Sequence, residues 1–502
     1  MHRITRRKFV GQLAGTAAGA ALAGTGFAQP AKKSGRKPNV LFVMSDDMRV
    51  ELGCYRSRFH ARTPNLNVLA KSGVRFERNY CQFPLCNPSR ASLLTGRPPT
   101  RTGVLGNRTD FRTRHPGWTT LPQLFKENGY VTVRAGKIFH GGIDDAASWS
   151  ETADRGGPTD DGTGPPVGTT KPVTRGKVGG QPGDTLAPLP ADSSRAAYSD
   201  RIVVLDGNGE GHGDYHTAER TIENLRKYRD QPFFIACGFV KPHSPPTAPQ
   251  KFFDWYDANQ IQLTPDFAAW PTVPPGFPSA AIRKRNADLF IGRGASEVEA
   301  KEVIRAYLAS ISWVDWNLGR VLGELDQLGL RENTIVVFVA DHGYQLGEKG
   351  KWSKAGSLFE MGTRVPLIIS APGLKGNGAS SPRIVESLDL YPTLVELCGL
   401  PPQSEIEGAS LVPLLKKPSA KWDRPGFSVW SEDGKTLHGV AVRTEKWRYA
   451  EFGPDGVNGA MLFDPIADPL ELNNLANDAK FKPICAELSA LTRQYAARLS
   501  AA

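Results

Sequence analysis

Two acidic clusters in the sequence are of the type that binds a hard divalent cation. Asp46 and Asp47 directly follow one apolar run, and Asp341 and His342 follow another. Carboxylate oxygens suit Ca²⁺ or Mg²⁺ better than Zn²⁺. Without a cation, three carboxylates packed together would repel one another and raise each other's pKa. An isolated Asp-Asp pair is more often a helix N-cap or a solvated loop, but the second cluster favours a metal site.

Basic side chains follow two further apolar runs. Lys137 and His140 come after one of them, and Lys241 and His243 come after the other. If these runs are parallel strands of one sheet, their carboxyl ends share the edge where open α/β sheets bind ligands. A lone lysine or histidine is usually solvated or structural, so the convergence matters more than any single residue. The pattern predicts a site in which positive charges face the two acidic clusters.

The segment Cys86-Asn87-Pro88-Ser89-Arg90 predicts a cysteine at the start of a helix. Proline is favoured in the first turn of a helix, and the N–H groups of that turn favour anions. A thiolate there is a candidate nucleophile. The alternative is a buried structural cysteine, which is the usual role of a free cysteine. The residues alone leave both possibilities open.

These motifs resemble the signatures of the type I sulfatase family. The pattern Cys-x-Pro-x-Arg at residues 86–90 is followed by Thr-Gly-Arg at residues 95–97, and residues 129–140 resemble the second signature of the family. The Asp-Asp pair resembles its metal pair. The resemblance covers almost all of the chain after the N-terminal segment, including residues 387–393 and 462–465.

Within the family, the resemblance is closest to the iduronate-2-sulfatase branch. Residues 136–140, 241–243 and 341–354 are of that type. His342 reduces the number of branches that fit, because many other sulfatases have Asn at this position. Choline-sulfatase-like enzymes also have the Asp-His-Gly sequence, so His342 does not decide between these two branches. The resemblance implies an exo-acting hydrolase of sulfate esters on a sulfated glycan, with a choline-sulfatase-like activity as the alternative.

The resemblance also implies a mechanism. Cys86 is oxidised to formylglycine by a formylglycine-generating or equivalent maturation enzyme, and the hydrated aldehyde attacks sulfur and then expels sulfate. One divalent cation, implied to be Ca²⁺, is held by Asp46, Asp47, Cys86, Asp341 and His342. The implied catalytic roles are proton acceptance by Asp341, hydrate stabilisation by Arg90, sulfate binding by Lys137 and Lys354, assistance to hydrate collapse by His140, and protonation of the leaving alcohol by His243.

The elements expected to position these residues alternate between strands and helices. Continuous runs of Val, Ile, Leu and Phe predict parallel strands that helices cover on both faces. Ser296 and Glu299 form a capping-box pattern before a helix predicted over residues 297–328, in which Asp315 is expected to be structural. The alternation predicts a doubly wound α/β sheet, and the resemblance implies one like that of alkaline phosphatase. The predicted strands lie at 40–44, 131–135, 233–237, 335–339 and 367–370, and a second helix lies at 387–397.

Composition divides the chain into a leader and two domains. Residues 1–28, with Arg6-Arg7 before a Gly- and Ala-rich run, predict a twin-arginine export signal and a periplasmic or secreted enzyme. A chance Arg-Arg before an ordinary signal is the alternative. Residues 38–420 are expected to form the catalytic domain, with an irregular Gly- and Pro-rich insertion at about 156–191. Residues 421–502 are expected to form a smaller α+β subdomain, with strands at 439–443, 447–449 and 461–463 and a helix at 482–499.

The bulk composition excludes few functions. The net charge of +11 over 502 residues favours polyanionic partners such as sulfated glycans, but equally fits scattered solubilising side chains. Six dispersed cysteines are too few for a disulfide framework, although Cys54 and Cys81 are candidates for a pair. No run predicts a stable membrane anchor, and no nucleic-acid partner is expected. The rival hypotheses are a phosphatase or phosphonate monoester hydrolase of the same fold, and a polyanion-binding protein if Cys86 stays unmodified.

Overall fold

The computed structural model describes residues 36–151, 169–171, 196 and 199–499. The described residues from Lys37 onward form one compact unit around a seven-stranded sheet. Its strands are β1 (Asn39–Asp46), β2 (Val74–Tyr80), β3 (Val131–Gly136), β6 (Phe233–Pro242), β8 (Thr334–Ala340), β9 (Arg364–Ser370) and β10 (Ser380–Glu386). A three-stranded sheet comprises β4 (Thr169–Lys171), β5 (Ile202–Leu205) and β7 (Thr247–Pro249). The predicted signal lies outside the described residues, as does the predicted insertion apart from β4.

Helices cover both faces of the central sheet. The helices among the described residues are α1 (Pro64–Ser72), α2 (Cys86–Thr95), α3 (Pro99–Thr102), α4 (Phe111–Arg114), α5 (Leu121–Glu127), α6 (Gly213–Tyr228), α7 (Gln250–Phe253), α8 (Glu297–Gln327), α9 (Glu360–Thr363), α10 (Leu390–Leu397), α11 (Val412–Lys416) and α12 (Lys482–Ala496). Alternate residues of β1 enter two different cores, Leu41 with α1, α6 and α8, and Phe42 with α2, α5 and α10. This arrangement confirms the predicted α/β fold, because only a strand covered on both faces needs an unbroken apolar sequence.

The direction of one predicted strand is wrong. The order of the sheet is β10-β2-β9-β8-β1-β6-β3, and β9 pairs antiparallel with both β2 and β8. The segment 367–370 was expected to be parallel like the other four runs. A continuous apolar run indicates burial on both faces but carries no information about chain direction. Because β9 is antiparallel to its neighbours, the sheet is mixed. The sequence also gave no strong signal for β2 and β10, which contain charged residues.

The long helix α8 begins and ends close to its predicted bounds. The Ser296 side chain accepts from the Glu299 backbone N–H, and the Glu299 carboxylate accepts from the Ser296 backbone, which completes the capping box. Asp315 is structural, as expected: its carboxylate accepts from the backbone N–H groups of Asn65 and Leu66 at 3.1 and 2.7 Å. These N–H groups belong to the first turn of α1, so a side chain on one helix caps another.

A third sheet, the C-terminal sheet, lies near the C-terminus. It is antiparallel and comprises β11 (Gly426–Trp430), β12 (Gly439–Arg443), β13 (Arg448–Phe452) and β14 (Ala460–Phe463), with α12 packed on β12 and β13. The predicted strands and final helix of the α+β subdomain are present, and β11 is an additional strand. The boundary between 420 and 421 stays a prediction.

Within the part of the chain that the structure covers, all six cysteines are free, including Cys54 and Cys81. Among the helices of the same residues, none has the length and hydropathy that a membrane span requires.

Glu386 ends β10 of the central sheet and contacts β11 of the C-terminal sheet. From its burial we expect the stability of the protein to depend on pH. Its carboxylate accepts from the Phe427 backbone at 2.9 Å, and burial together with Asp389 raises its pKa to about 8. A raised carboxyl pKa gives stability that is complete below the unfolded pKa and is lost as pH rises towards 8. Glu386→Gln keeps an accepting oxygen and cannot ionise. We expect the difference in Tm between the variant and wild type to favour the variant more at pH 8 than at pH 5, by roughly 2–4 °C or more. Equal differences at the two pH values would contradict this explanation.

Candidate active site

The two acidic clusters meet because β1 and β8 are adjacent parallel strands in register. Ser45 pairs with Ala340, and the Asp341 backbone N–H donates to the Ser45 carbonyl at 3.2 Å. Asp46 ends β1 and Asp341 follows β8, so both carboxylates lie at the carboxyl edge of the sheet. Both are completely buried. The predicted convergence therefore exists, at the position where open α/β sheets bind ligands.

Cys86 is the first residue of α2 and points into this edge. Its Sγ lies 3.4 Å from Asp46 Oδ1 and 3.3 Å from His342 Nε2, and the residue is 2% exposed. The helix has no side-chain cap at Leu85. Asn87 fixes the start of the helix instead, since its amide group donates to the carbonyls of Gly106 and Thr109 at 2.9 and 2.7 Å. An asparagine in this position of the motif thus has a local structural role.

Three cationic side chains surround the acidic clusters. Arg90 Nε lies 2.9 Å from Asp341 Oδ2, and Lys137 Nζ lies 2.5 Å from Asp46 Oδ2. Lys354 Nζ lies 2.9 Å from Asp47 Oδ2. Arg90 also donates to the backbone carbonyls of residues 137 and 138, at 2.7 and 3.0 Å, which holds the chain after β3 against α2. The cations predicted from the sequence therefore lie in direct contact with the predicted metal ligands.

The two predicted catalytic histidines differ in their placement. His243 offers a ring nitrogen to the group of ligand atoms from Asp46, Asp47 and Cys86, all within 4.8 Å of one another. Its Nδ1 lies 2.8 Å from the Ser244 carbonyl, which favours the tautomer with the proton on Nδ1 and leaves Nε2 as an acceptor. His140 is half-buried beyond β3 in a backbone bridge with Ile143 and does not belong to either such group among the described residues. Its catalytic role stays a prediction.

The donor set fits a divalent cation. Burial alone would raise the pKa of Asp46, but Lys137 and Arg90 outweigh it and hold the pKa well below its usual value. Burial raises the pKa of Asp47 well above its usual value, and Asp47 Oδ1 accepts no hydrogen bond from the described residues. The ligand atoms of Asp46, Cys86, Asp341 and His342 lie within 4.8 Å of one another. Buried carboxylates at this density are stabilised by a cation that offers positive charge to all of them.

Asp47 is held in an unusual backbone conformation. Its φ angle is +60°, in the left-handed region that non-glycine residues seldom adopt. The Tyr307 hydroxyl of α8 donates to the Asp47 carbonyl at 2.6 Å and accepts from the Arg49 backbone at 3.1 Å. The turn after β1 is therefore fixed from the opposite layer of the molecule, as expected where a strained residue serves a site.

Sequence reasoning missed two residues that contribute to this arrangement. Tyr307 is one of them. The other is Asp288, which is completely buried and has its Oδ1 3.5 Å from Lys354 Nζ. Burial alone would lower the pKa of Lys354, but Asp288 and Asp47 outweigh it and raise the pKa, so the lysine stays charged. Asp288 follows an irregular segment without periodicity, and a Tyr at an apolar helix position predicts only a core residue.

Disruption of the buried ion cluster around Arg49 is expected to cause a large loss of stability. Arg49 is fully buried, with Nη1 2.9 Å from Glu348 and Nη2 3.2 Å from Glu51. Arg58 approaches the same two carboxylates but has a side chain that is 29% exposed. Arg49→Met leaves buried charges without their main partner, so we expect a loss of roughly 3–5 kcal/mol in the free energy of unfolding by urea. The matched Arg58→Met variant should lose about 1 kcal/mol or less. Equal losses in the two variants would argue against the role of burial.

Comparisons with known proteins agree on one family. The family described as Sulfatase matches residues 38–400, and that described as N-sulphoglucosamine sulphohydrolase, C-terminal, matches residues 347–497. A protein of Formosa agariphila named Sulfatase is 34% identical over 481 residues, which cover 91% of this chain and 86% of that protein. The iduronate 2-sulfatase of Homo sapiens is 32% identical over 529 residues, covering 88% and 92% of the two chains.

A solved structure with a different named activity has the same fold. The crystal structure of the phosphonate monoester hydrolase of Agrobacterium radiobacter aligns with a TM-score of 0.71 and 20% identity, covering 92% of this chain and 96% of that one. At this identity the likeness establishes the fold alone.

Proposed function

The chain belongs to the sulfatase family of sulfuric ester hydrolases, and from this premise we propose that it hydrolyses sulfate esters of a glycan with a formylglycine at position 86. The single observation that supports this is the position of Cys86. Its Sγ lies at a helix N-terminus within 3.4 Å of Asp46 and His342. A nucleophile placed there faces the predicted metal ligands and three buried cations together.

The buried cations would hold the sulfate group. Lys137 and Lys354 flank the acidic clusters, so a sulfate placed over residue 86 meets a positive charge on each side. Arg90 keeps the nucleophile oriented because its guanidinium is tied to Asp341 and to the backbone after β3. Fixed charges in a buried site stabilise the charge that develops on the sulfate oxygens without having to reorganise.

A cation would be held by Asp46, Asp47, Asp341, His342 and residue 86, and we propose Ca²⁺ because carboxylate oxygens dominate the set. When bound, it supplies Lewis acidity that lowers the pKa of the nucleophile and offsets charge on the sulfate.

Two side chains would move protons. We propose that Asp341 accepts the proton of the nucleophile, which is supported by the distance of at most 4.8 Å between its ligand atom and that of Cys86. Burial holds the pKa of His243 well below its usual value, and a bound sulfate anion would raise it, so that the imidazole donates to the leaving alcohol oxygen.

The proposed substrate is a sulfated sugar at the end of a polysaccharide chain, from which the enzyme would remove the sulfate group. The similarity to a human iduronate 2-sulfatase supports it, and choline sulfate is the alternative. We also propose that residues 1–28 direct export by the twin-arginine route, and that a maturation enzyme converts Cys86 beforehand. A protein exported in the folded state would carry its modification and metal with it.

The proposal is tested by mass spectrometry of the tryptic peptide that contains residue 86, from protein produced with its maturation enzyme. Conversion of the thiol to an aldehyde removes sulfur and lowers the peptide mass. Active protein that contains only unmodified cysteine would rule out the proposed nucleophile. Steady-state kinetics on matched 4-nitrophenyl sulfate, phosphate and phosphonate esters then separate the esterase classes, and we expect the highest kcat/KM for the sulfate.

A further inference from the structure

A cavity near the segment that carries Lys354 has the features of a second anion-binding site: two of its lining residues, Arg283 and Trp430, approach Gly356. It has a volume of about 300 Å³ and lies between residues 279–284 and the hairpin that joins β11 to β12. We propose that it binds the sugar unit next to the one that carries the cleaved sulfate, through the carboxylate or sulfate of that unit. This inference rests on the proposed function. The residues that line the cavity include two cations, Arg283 and Lys284, one carboxylate, Glu432, and the side chains of Ile282, Trp430 and His438.

The first connection between this cavity and the active site runs through Gly356. This glycine has a φ of +77°, and a methyl group on it would lie 2.7 Å from Arg283 Cδ and 3.6 Å from Trp430 Nε1. It follows the sulfate-binding Lys354 by two residues, a span of about 7 Å at most. Lys351, which precedes Lys354 by three residues, donates from Nζ to the Arg283 carbonyl at 3.2 Å. The cavity and the proposed sulfate clamp are therefore fixed to one short segment.

The second connection runs through the hairpin. A methyl group on Gly106 would lie 3.6 Å from the Cα of Gly434, which lies between β11 and β12. The Gly106 carbonyl accepts from the Asn87 amide at 2.9 Å, and Asn87 adjoins Cys86. The hairpin thus approaches the residue next to the nucleophile, while its His438 side chain lines the cavity. A ligand that enters from the cavity side would therefore meet the His438 side chain and the part of the hairpin that lies near Asn87.

The cavity presents exchangeable positive charge. The Arg283 guanidinium lies 2.9 Å from Glu432 and 5.5 Å from the centre of the Trp430 ring, and its side chain is 36% exposed. An exposed ion pair of this kind contributes little, so a ligand anion replaces it at low cost. Guanidinium binds carboxylate or sulfate oxygens with two parallel hydrogen bonds. Lys284 is exposed and adds a second cation.

The size of the cavity limits what it holds. About 300 Å³ is at the small end of ligand pockets, which matches one sugar ring rather than an extended chain. Binding energy from such a remote unit can be used at the reacting centre. The enzyme should therefore favour sulfated oligosaccharides that carry a neighbouring acidic sugar over small sulfate esters.

The test measures binding and turnover separately. Cys86→Ala protein, with and without Arg283→Met, is titrated with a heparin-derived tetrasaccharide and with its carboxyl-reduced form by calorimetry. We expect Arg283→Met to raise the Kd at least about tenfold, and Lys284→Met, which guards against misfolding of the first variant, to raise it less. The control is Arg229→Met, which removes an exposed arginine that lies 3.4 Å from Asp230 outside the cavity. If Arg283→Met raises the Kd of the tetrasaccharide but not that of its carboxyl-reduced form, the carboxylate is the group that Arg283 binds. If it raises both Kd values, the group is a sulfate.

Two outcomes overturn the inference. One is a tetrasaccharide Kd that is unchanged by Arg283→Met or equally changed by Arg229→Met, and the other is no tetrasaccharide binding by the Cys86→Ala protein. Failure of the proposed function is a different result, namely no hydrolysis of 4-nitrophenyl sulfate by the matured wild-type enzyme. The ratio of kcat/KM for the tetrasaccharide to that for 4-nitrophenyl sulfate should also fall at least about tenfold in Arg283→Met if both proposals hold.

Discussion

Cys86→Ala is expected to lower kcat/KM for 4-nitrophenyl sulfate by roughly 10⁴-fold or more, because alanine cannot be converted to the proposed formylglycine, whose hydrate oxygen would attack sulfur. The protein should remain folded. The cysteine is buried at the start of α2 and its neighbour Asn87 holds the helix start through backbone contacts of its own. The measurement is steady-state hydrolysis by matured enzyme, with the Tm determined for each variant.

The matched control for this prediction is Cys398→Ala. It removes the same thiol from the residue that follows α10, outside the acidic clusters. We expect its kcat/KM to change less than about tenfold. If Cys86→Ala retained activity while folded, neither a formylglycine nor a thiol at this position would be the nucleophile, and the residue would have a structural role.

Removal of the divalent cation should have the next largest effect. A metal contributes several kcal/mol to the transition state, so chelation with EDTA is expected to lower kcat/KM roughly 10³-fold, with recovery on addition of Ca²⁺. Calcium should also raise the Tm of the chelated enzyme, because a ligand that binds only the folded state stabilises it. The second readout does not depend on turnover.

Asp47→Asn provides the variant for this test. Asp47 is buried at the site, and the amide would remove one anionic ligand. Its calcium-induced rise in Tm should be abolished or reduced by at least half relative to wild type. The control is Asp145→Asn, another buried aspartate, which pairs with Arg112 at 2.8 Å. An equal calcium response in both variants, or full activity after chelation, would exclude a metal at the acidic clusters.

Strand ends allowed much of the site to be predicted from the sequence. Asp46 and Asp341 could be placed together because each follows an apolar run, and parallel strands bring such ends to one edge. Cys86 could be placed there only through the resemblance of residues 86–90 to the sulfatase signature, because the residues alone left a structural cysteine possible. These signals depend on local sequence, and the structure brings the residues to one edge accordingly.

The remaining parts of the site depend on long-range packing. Asp288 lies in a region without periodicity, and its approach to Lys354 depends on the fold of the preceding irregular segment. Tyr307 reaches Asp47 from a different layer, 260 residues away in sequence. The direction of β9 and the position of the β11–β12 hairpin likewise have no local signature, because burial constrains composition and leaves direction open.

The burial of Cys86 has a consequence for the order of events in biosynthesis. A protein-modifying enzyme must take the peptide around its target into its own cleft, whereas here the cysteine is 2% exposed and its helix is buried along its whole length. Access to residue 86 therefore closes when the chain folds. The proposed modification would therefore act on the nascent or unfolded chain, and a molecule that folds before conversion would be stable yet permanently inactive. The yield of active enzyme should then depend on a competition between the rate of folding and the rate of maturation.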